Sequence, residues 1–144
     1  MAFLLDVNVL IARVDPRHEH HDRILRWERV HAEEPLVTCP LTENDSLRIY
    51  GHPNYPGGPG SPSEALVELE CLRSMSFHRF VSDLISLAEA DSFLSLKGVS
   101  PKQLSDLYLL GLAVRNGFSF ATTDSKVPAR LVRGGMKALH VIDG

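Results

Sequence analysis

Apolar residues follow two rhythms along this chain: short unbroken runs alternate with longer stretches in which they recur every three or four positions. The first run, Phe3 to Ile11, is interrupted only by Asp6 and Asn8 and reads as a buried strand ending at the acid. Asp6 or Asn8 then caps a short helical turn, Val9 to Ala12, broken by Asp15-Pro16. His18 to His31 reads as a helix with Ile24, Trp27 and Val30 on one face. After Pro35, Leu36 to Cys39 makes a second short strand. Thr42, with Asp45 reaching back, opens the next helix, whose apolar side carries Leu47, Ile49 and Tyr50. Residues Gly51 to Pro62 hold four Gly and four Pro and form a loop. Ser63 caps a helix to about Ser76, turning Ala65, Leu66, Leu69, Leu72 and Met75 inward. Phe77 to Val81 is a third strand and Ser86 to Ala90 a short helix. Ser100-Pro101-Lys102-Gln103 is the clearest helix start, Gly117 its stop, and Asp106 lies early, within that helix or at a second start capped by Ser105. Phe118 to Ala121 is the fourth strand, Val127 to Val132 a short helix, Gly134-Gly135 a turn, and Ala138 to Ile142 the last strand.

Strands alternating with helices predict an α/β fold: a central parallel sheet of about four to five strands, flanked by helices on both faces. The loop at 51–62 has too little chain before it to separate two folding units, so residues 1–144 are expected to make one domain. Composition changes this picture little: 44% apolar and 23% charged residues are ordinary for a soluble globular protein. A net charge of −3 excludes a protein that coats nucleic acid through a global cationic field and leaves room only for a local basic patch. Two cysteines, Cys39 and Cys71, without CxxC spacing fit a reducing compartment and read as small buried apolar groups. No apolar run reaches the roughly 20 residues of a membrane span, and no basic, uninterrupted leader opens the chain. A cytoplasmic protein is expected.

The chemistry sits at the junctions between these elements. Asp6 ends one strand and Asp124 follows another; Glu43 begins the helix after the second strand, and Asp106 lies near the start of a later one. In a parallel sheet, strand ends and helix beginnings share one edge, the edge where α/β folds bind their ligands. Any one of these acids is accounted for by helix capping alone. Four converging in a partly buried crevice would repel one another, and a divalent cation is the simplest remedy. Oxygen ligands without cysteine or a clear histidine suit Mg²⁺ or Mn²⁺ rather than Zn²⁺. One or two such ions clamping a phosphodiester promote in-line attack by water. Residue chemistry therefore points to metal-assisted phosphoryl transfer, most simply hydrolysis.

At these same residues the chain resembles a known family. Leu4-Leu5-Asp6-Val7-Asn8-Val9-Leu10-Ile11, Cys39-Pro40-Leu41-Thr42-Glu43-Asn44 with Arg48, the His52-Pro53-Asn54-Tyr55-Pro56 loop, Ser105-Asp106-Leu107-Tyr108 through Ala113, and Ala121-Thr122-Thr123-Asp124 look like the motifs of PIN-domain ribonucleases, and more closely of VapC-type toxins. Each motif is short; their order along residues 3 to 142 is what makes the resemblance specific. It implies a PIN-like fold and a metal-dependent endoribonuclease. It implies Asp6, Glu43, Asp106 and Asp124 as catalytic, metal-binding acids, with Asn8 and Thr122 orienting ligands or water behind them. It also implies an RNA substrate, a cognate antitoxin partner and a homodimer. Asp45 departs from the pattern, which has a small residue there, and adds a charge beside the site.

Further features are weighed against plainer explanations. Arg115, Lys126, Arg130, Arg133 and Lys137 face a single acid, Asp124, between residues 115 and 137, and this stretch either guides an RNA backbone or is a solvated face. His18, His20 and His21 lack metal-ligand spacing and read as a polar helix start; Trp27 reads as core or dimer contact. Arg17, Arg23, Arg26 and Arg29 interleave with Asp15, Glu19, Asp22 and Glu28 and read as a salt-bridged face. Rival assignments begin with an Asp after an apolar strand. A phosphatase of the haloacid dehalogenase type needs an acid at position 8, where Asn8 cannot donate a proton. A receiver domain needs a late lysine, and Lys126 is poorly placed. A non-catalytic PIN-like binding module is the remaining alternative.

Overall fold

The computed structural model describes residues 1–143. Its strands are β1 (Phe3–Leu5), β2 (Leu36–Thr38), β3 (His78–Phe80), β4 (Ser119–Thr122) and β5 (Leu139–Val141). They form one sheet in the order β3-β2-β1-β4-β5, every neighbouring pair parallel. The order reverses at β1, which lies between β2 and β4, so the chain folds outward from its first strand in both directions. This switch point opens a crevice at the carboxyl ends of β1 and β4.

Alternation along the strands divides the core in two. Phe3, Leu5, Leu36 and Ala121 face the helices α1 (Val7–Val14), α2 (His21–Val30) and α4 (Pro62–Arg73), meeting Val9, Leu10, Ile24, Trp27 and Leu72. Leu4, Val37 and Phe120 face the other way, toward α5 (Leu104–Asn116) and its Leu107, Leu109, Leu110, Leu112 and Ala113. Helix α5 is buried nearly all round because residues 81–99 cross its outer side. Phe93 and Ile85 press on Gly111 so closely that a Cβ there would lie 2.4 Å from the Phe93 ring. The crossing segment is tied down by the Phe93–Val132 bridge and by Leu94 N–H donating to Leu131 at 2.8 Å.

Several expected boundaries shift. The opening run divides at Asp6: three residues form β1, and the rest becomes α1, longer than the turn expected from Val9. Helix α2 begins at His21 rather than His18, and Val30 is exposed rather than inward. Helix α3 (Pro40–Tyr50) starts two residues before Thr42; Cys39 is the N-cap, and the Thr42 hydroxyl accepts from the Cys39 amide at 3.0 Å. Helix α4 starts at Pro62 with Ser61 as its cap, accepting from the Glu64 amide at 3.2 Å, so Ser63 lies inside it. Leu66 and Met75 are exposed, as is Cys71. Ser86 to Ala90 forms turns rather than a helix. The box of Ser100 and Gln103 opens a single 3₁₀ turn leading into α5, so Asp106 is the third residue of that helix. Gly117 closes it at φ +72°, where a side chain would be strained. A 3₁₀ turn (Ala129–Leu131) replaces the short helix expected from Val127, and α6 (Gly135–Ala138) precedes β5.

Candidate active site

Asp6 follows the last residue of β1 and is only 5% exposed. Its amide donates to Ala121 of β4 at 3.0 Å, and its carboxylate accepts from the Thr122 hydroxyl at 2.7 Å. The amides of Val7 and Asn8, at the start of α1, also favour the charged form. Burial outweighs these donors, so the Asp6 carboxyl titrates above its ordinary range. The same Thr122 hydroxyl accepts from the Asp124 amide at 3.1 Å, linking the acid after β1 to the acid after β4. Asp124 is exposed, and its Oδ1 accepts from the Lys126 amide at 2.8 Å.

Asp106 completes a group of three. Burial, then the charges of Asp6 and Asp124, push its carboxyl up to about 7. Asp6, at least 100 residues from the other two in sequence, and Asp106 and Asp124 thus repel one another through a shared crevice at the sheet switch point. Among the described residues, no three His, Cys, Asp or Glu side chains are already drawn together as a metal cage. Magnesium asks for less: it takes one or two carboxylates, keeps several waters and leaves positions for substrate phosphates. Hard oxygen donors whose charges crowd one another fit such an ion in chemistry and in electrostatics.

Glu43 is held differently. Its Oε2 accepts from the Thr38 hydroxyl at 2.6 Å and from the Arg73 guanidinium at 2.5 Å, and Thr38 also contacts His78 Nε2 at 2.8 Å. The structure therefore brings Asp6, Asp106 and Asp124 into mutual repulsion and gives the fourth acid to an arginine from the end of α4. Thr38 ends β2 as Thr122 ends β4, each donating to a carboxylate, and that repeated strand-end threonine was a readable signal. Arg73, thirty residues from Glu43, left none. Asp83 was also missed; its carboxylate accepts from the Leu41 amide in the first turn of α3 at 3.2 Å.

The remaining expected residues separate by position. Asn8 is exposed on the first turn of α1. Asp45 is partly answered by Arg48 at 3.4 Å. Lys126 and Arg130 are exposed on the segment after Asp124. Arg115 does not join them: nine residues along α5 from Asp106, it lies roughly 14 Å down the axis and pairs with Glu89 at 3.8 Å. Arg133 donates to the Asp91 carbonyl at 2.9 Å, beside the segment that crosses α5. The histidines near residue 20 serve local turns, His18 Nδ1 accepting from the His20 amide and His21 Nδ1 meeting the Ala12 carbonyl. Trp27 is core, its Nε1–H donating to His140 Nε2 at 2.9 Å. Cys39 is buried, and burial pushes its thiol up to about 11, so it is a poor nucleophile.

No protein-family model matches the chain. Curated relatives do. Ribonuclease VapC44 of Mycobacterium tuberculosis (strain H37Rv) is 34% identical over 137 residues, spanning 95% of this chain and 96% of that protein. Ribonuclease VapC38 of the same strain is 37% identical over 124 residues, 86% of each. The crystal structure of Mycobacterium tuberculosis VapC20, a sarcin-ricin loop cleaving toxin, superposes with a TM-score of 0.59 at 11% identity, covering 90% of this chain and 95% of that one. At that identity the superposition speaks for the fold alone, which is the PIN-type α/β arrangement. Identity of 34% sustained across nearly the whole of both chains goes further: this chain belongs to the family of VapC ribonucleases.

Proposed function

We propose that this chain is the toxin of a toxin–antitoxin pair, an endoribonuclease that hydrolyses RNA phosphodiester bonds with Mg²⁺ or Mn²⁺. The observation that carries this reading is the gathering of three carboxylates at the switch point, where burial and then the charges of Asp6 and Asp124 push Asp106 up to about 7. Asp6, Asp106 and Asp124 would hold the ion, with Glu43 as a fourth acid on the β2 side of the crevice. Bound there, the ion supplies positive charge against the phosphodiester and makes water a better nucleophile. Thr122 fixes the Asp6 carboxylate from behind through its hydroxyl and holds the turn leading to Asp124. Lys126 and Arg130 supply cations beside Asp124 for the backbone of the RNA. The family also carries a cognate antitoxin and self-association, which co-expression with the adjacent reading frame and size-exclusion chromatography would test.

The decisive assay incubates structured RNAs with the protein and Mg²⁺ or Mn²⁺. Cleavage is expected to stop on adding EDTA and to fall at least 100-fold in Asp106→Asn, on the order of the loss of one transition-state charge interaction. Phosphate released from a small phosphomonoester, with RNA left intact, would instead establish the phosphatase reading.

A further inference from the structure

We propose that Arg73 and Phe80 form a subsite for single-stranded RNA on the β3 side of the crevice, Phe80 stacking one base and Arg73 holding the adjoining phosphate. This deepens the ribonuclease reading and rests on it. Phe80 ends β3 in register with Thr38, the residue whose hydroxyl donates to Glu43. The ring therefore stands at the same sheet edge as the acids. Strand β3 is an edge strand, and Phe80 is 44% exposed, a large apolar face with no core role.

Arg73 is the last residue of α4, and its side chain folds over that ring with the guanidinium carbon 4.7 Å from the centroid. One nitrogen donates to Glu43 while 41% of the side chain stays exposed. A guanidinium carries five N–H donors in a planar fork, so one bond to Glu43 orients the group and leaves donors for a phosphate. Arg79, the residue before Phe80, is exposed but projects from the opposite face of β3, so Arg73 is the cation that accompanies the ring. An exposed aromatic ring beside fixed arginine donors is how proteins hold unpaired nucleotides, bases stacking while the backbone is neutralised. A duplex keeps its bases stacked on one another and offers no face to Phe80, so the ligand chemistry is single-stranded. A bare counter-ion role for Arg73 would neutralise Glu43 but would not require the exposed ring beneath it.

The test uses Asp106→Asn, which the proposed chemistry leaves unable to cut, with Mg²⁺ present. The probe is a ten-nucleotide single-stranded RNA containing one 2-aminopurine. Binding is expected to change the 2-aminopurine emission through stacking, and the same probe annealed to its complement is expected to show no such change. Phe80→Leu is expected to weaken binding roughly ten-fold and abolish the emission change, while Phe80→Tyr retains both. Arg73→Gln is expected to weaken binding and reduce the salt slope by about one. Melting temperatures near that of the starting protein exclude unfolding as the cause, since both side chains are exposed. Phe80→Leu binding as well as Phe80, with the emission change intact, overturns the subsite and leaves the nuclease reading standing. Failure of the starting protein to bind any RNA overturns both.

Discussion

Asp6 and Asp106 repel one another, yet they are anchored differently. Asp6 receives the Thr122 hydroxyl and the favourable amides of α1, whereas Asp106 has burial and two like charges acting on it. In EDTA at pH 8 the Asp106 carboxylate is ionised in the folded protein at a cost absent from the unfolded chain. Discounted for its partial exposure, that cost is about 1 kcal/mol. Asp106→Asn is expected to raise the melting temperature by roughly 2–4 °C. Asp6→Ala is expected to lower it, because the buried Thr122 hydroxyl loses its acceptor. Differential scanning calorimetry separates the two outcomes; a fall with Asp106→Asn would make that acid a structural acceptor rather than a crowded one.

A second residue-scale prediction concerns His140. Its Nε2 accepts from Trp27, so the fold needs an unprotonated acceptor there, and burial followed by the neighbouring His31 lowers its pKa, against Glu34 and Asp143. A depressed histidine pKa means that the unfolded chain binds the proton more readily. The contribution is whole above about pH 6.5 and is lost as pH falls toward the lowered folded value. Trp27 is the sole tryptophan, so its fluorescence reports the event directly. His140→Gln, which keeps an acceptor at all pH values, is expected to flatten the acid limb of the Trp27 titration. An unchanged limb would assign it to other groups, with His18 and His78 also lowered.

At the scale of elements, α5 and the segment over it are matched at Gly111. Gly111→Ala places a methyl group into the Phe93 ring, and overpacking of this kind costs about 1–3 kcal/mol. A fall in melting temperature, recovered in part by Phe93→Leu, is expected from thermal denaturation. That segment carries no local pattern that specifies its path over α5. The central strands β1, β2 and β4 were legible because a buried parallel strand reads as an unbroken apolar run, while the edge strand β3, His-Arg-Phe, is legible only from the apolar Phe77 and Val81 that flank it. Ser86 to Ala90 is polar enough to be a helix, but the pull of Phe93 and Ile85 into the groove beside Gly111 bends it into turns. Starts were missed at Pro40 and Pro62 although proline favours the first helical position and Cys39 and Ser61 precede them. In both cases a hydroxyl just beyond the proline, Thr42 or Ser63, was the more conspicuous cap.

At the scale of the molecule, the switch point decides what can meet. A parallel sheet with β1 between β2 and β4 places Asp6, Asp106 and Asp124 at one edge, and this was legible because strand ends and helix starts are local features. Partners set by side-chain reach were not legible. Arg73 spans from the end of α4 to Glu43, and Arg115 falls at the wrong end of α5, which only the helix direction reveals. The proposed chemistry requires Asp6, Asp106 and Asp124 to form one divalent-ion site. Calorimetric titration of Mn²⁺ into the RNA-free protein at pH 8 tests that most directly. Binding is expected in the parent, with affinity at least ten-fold weaker in both Asp106→Asn and Asp124→Asn. An absence of binding in the parent, or equal affinity in all three proteins, would contradict it.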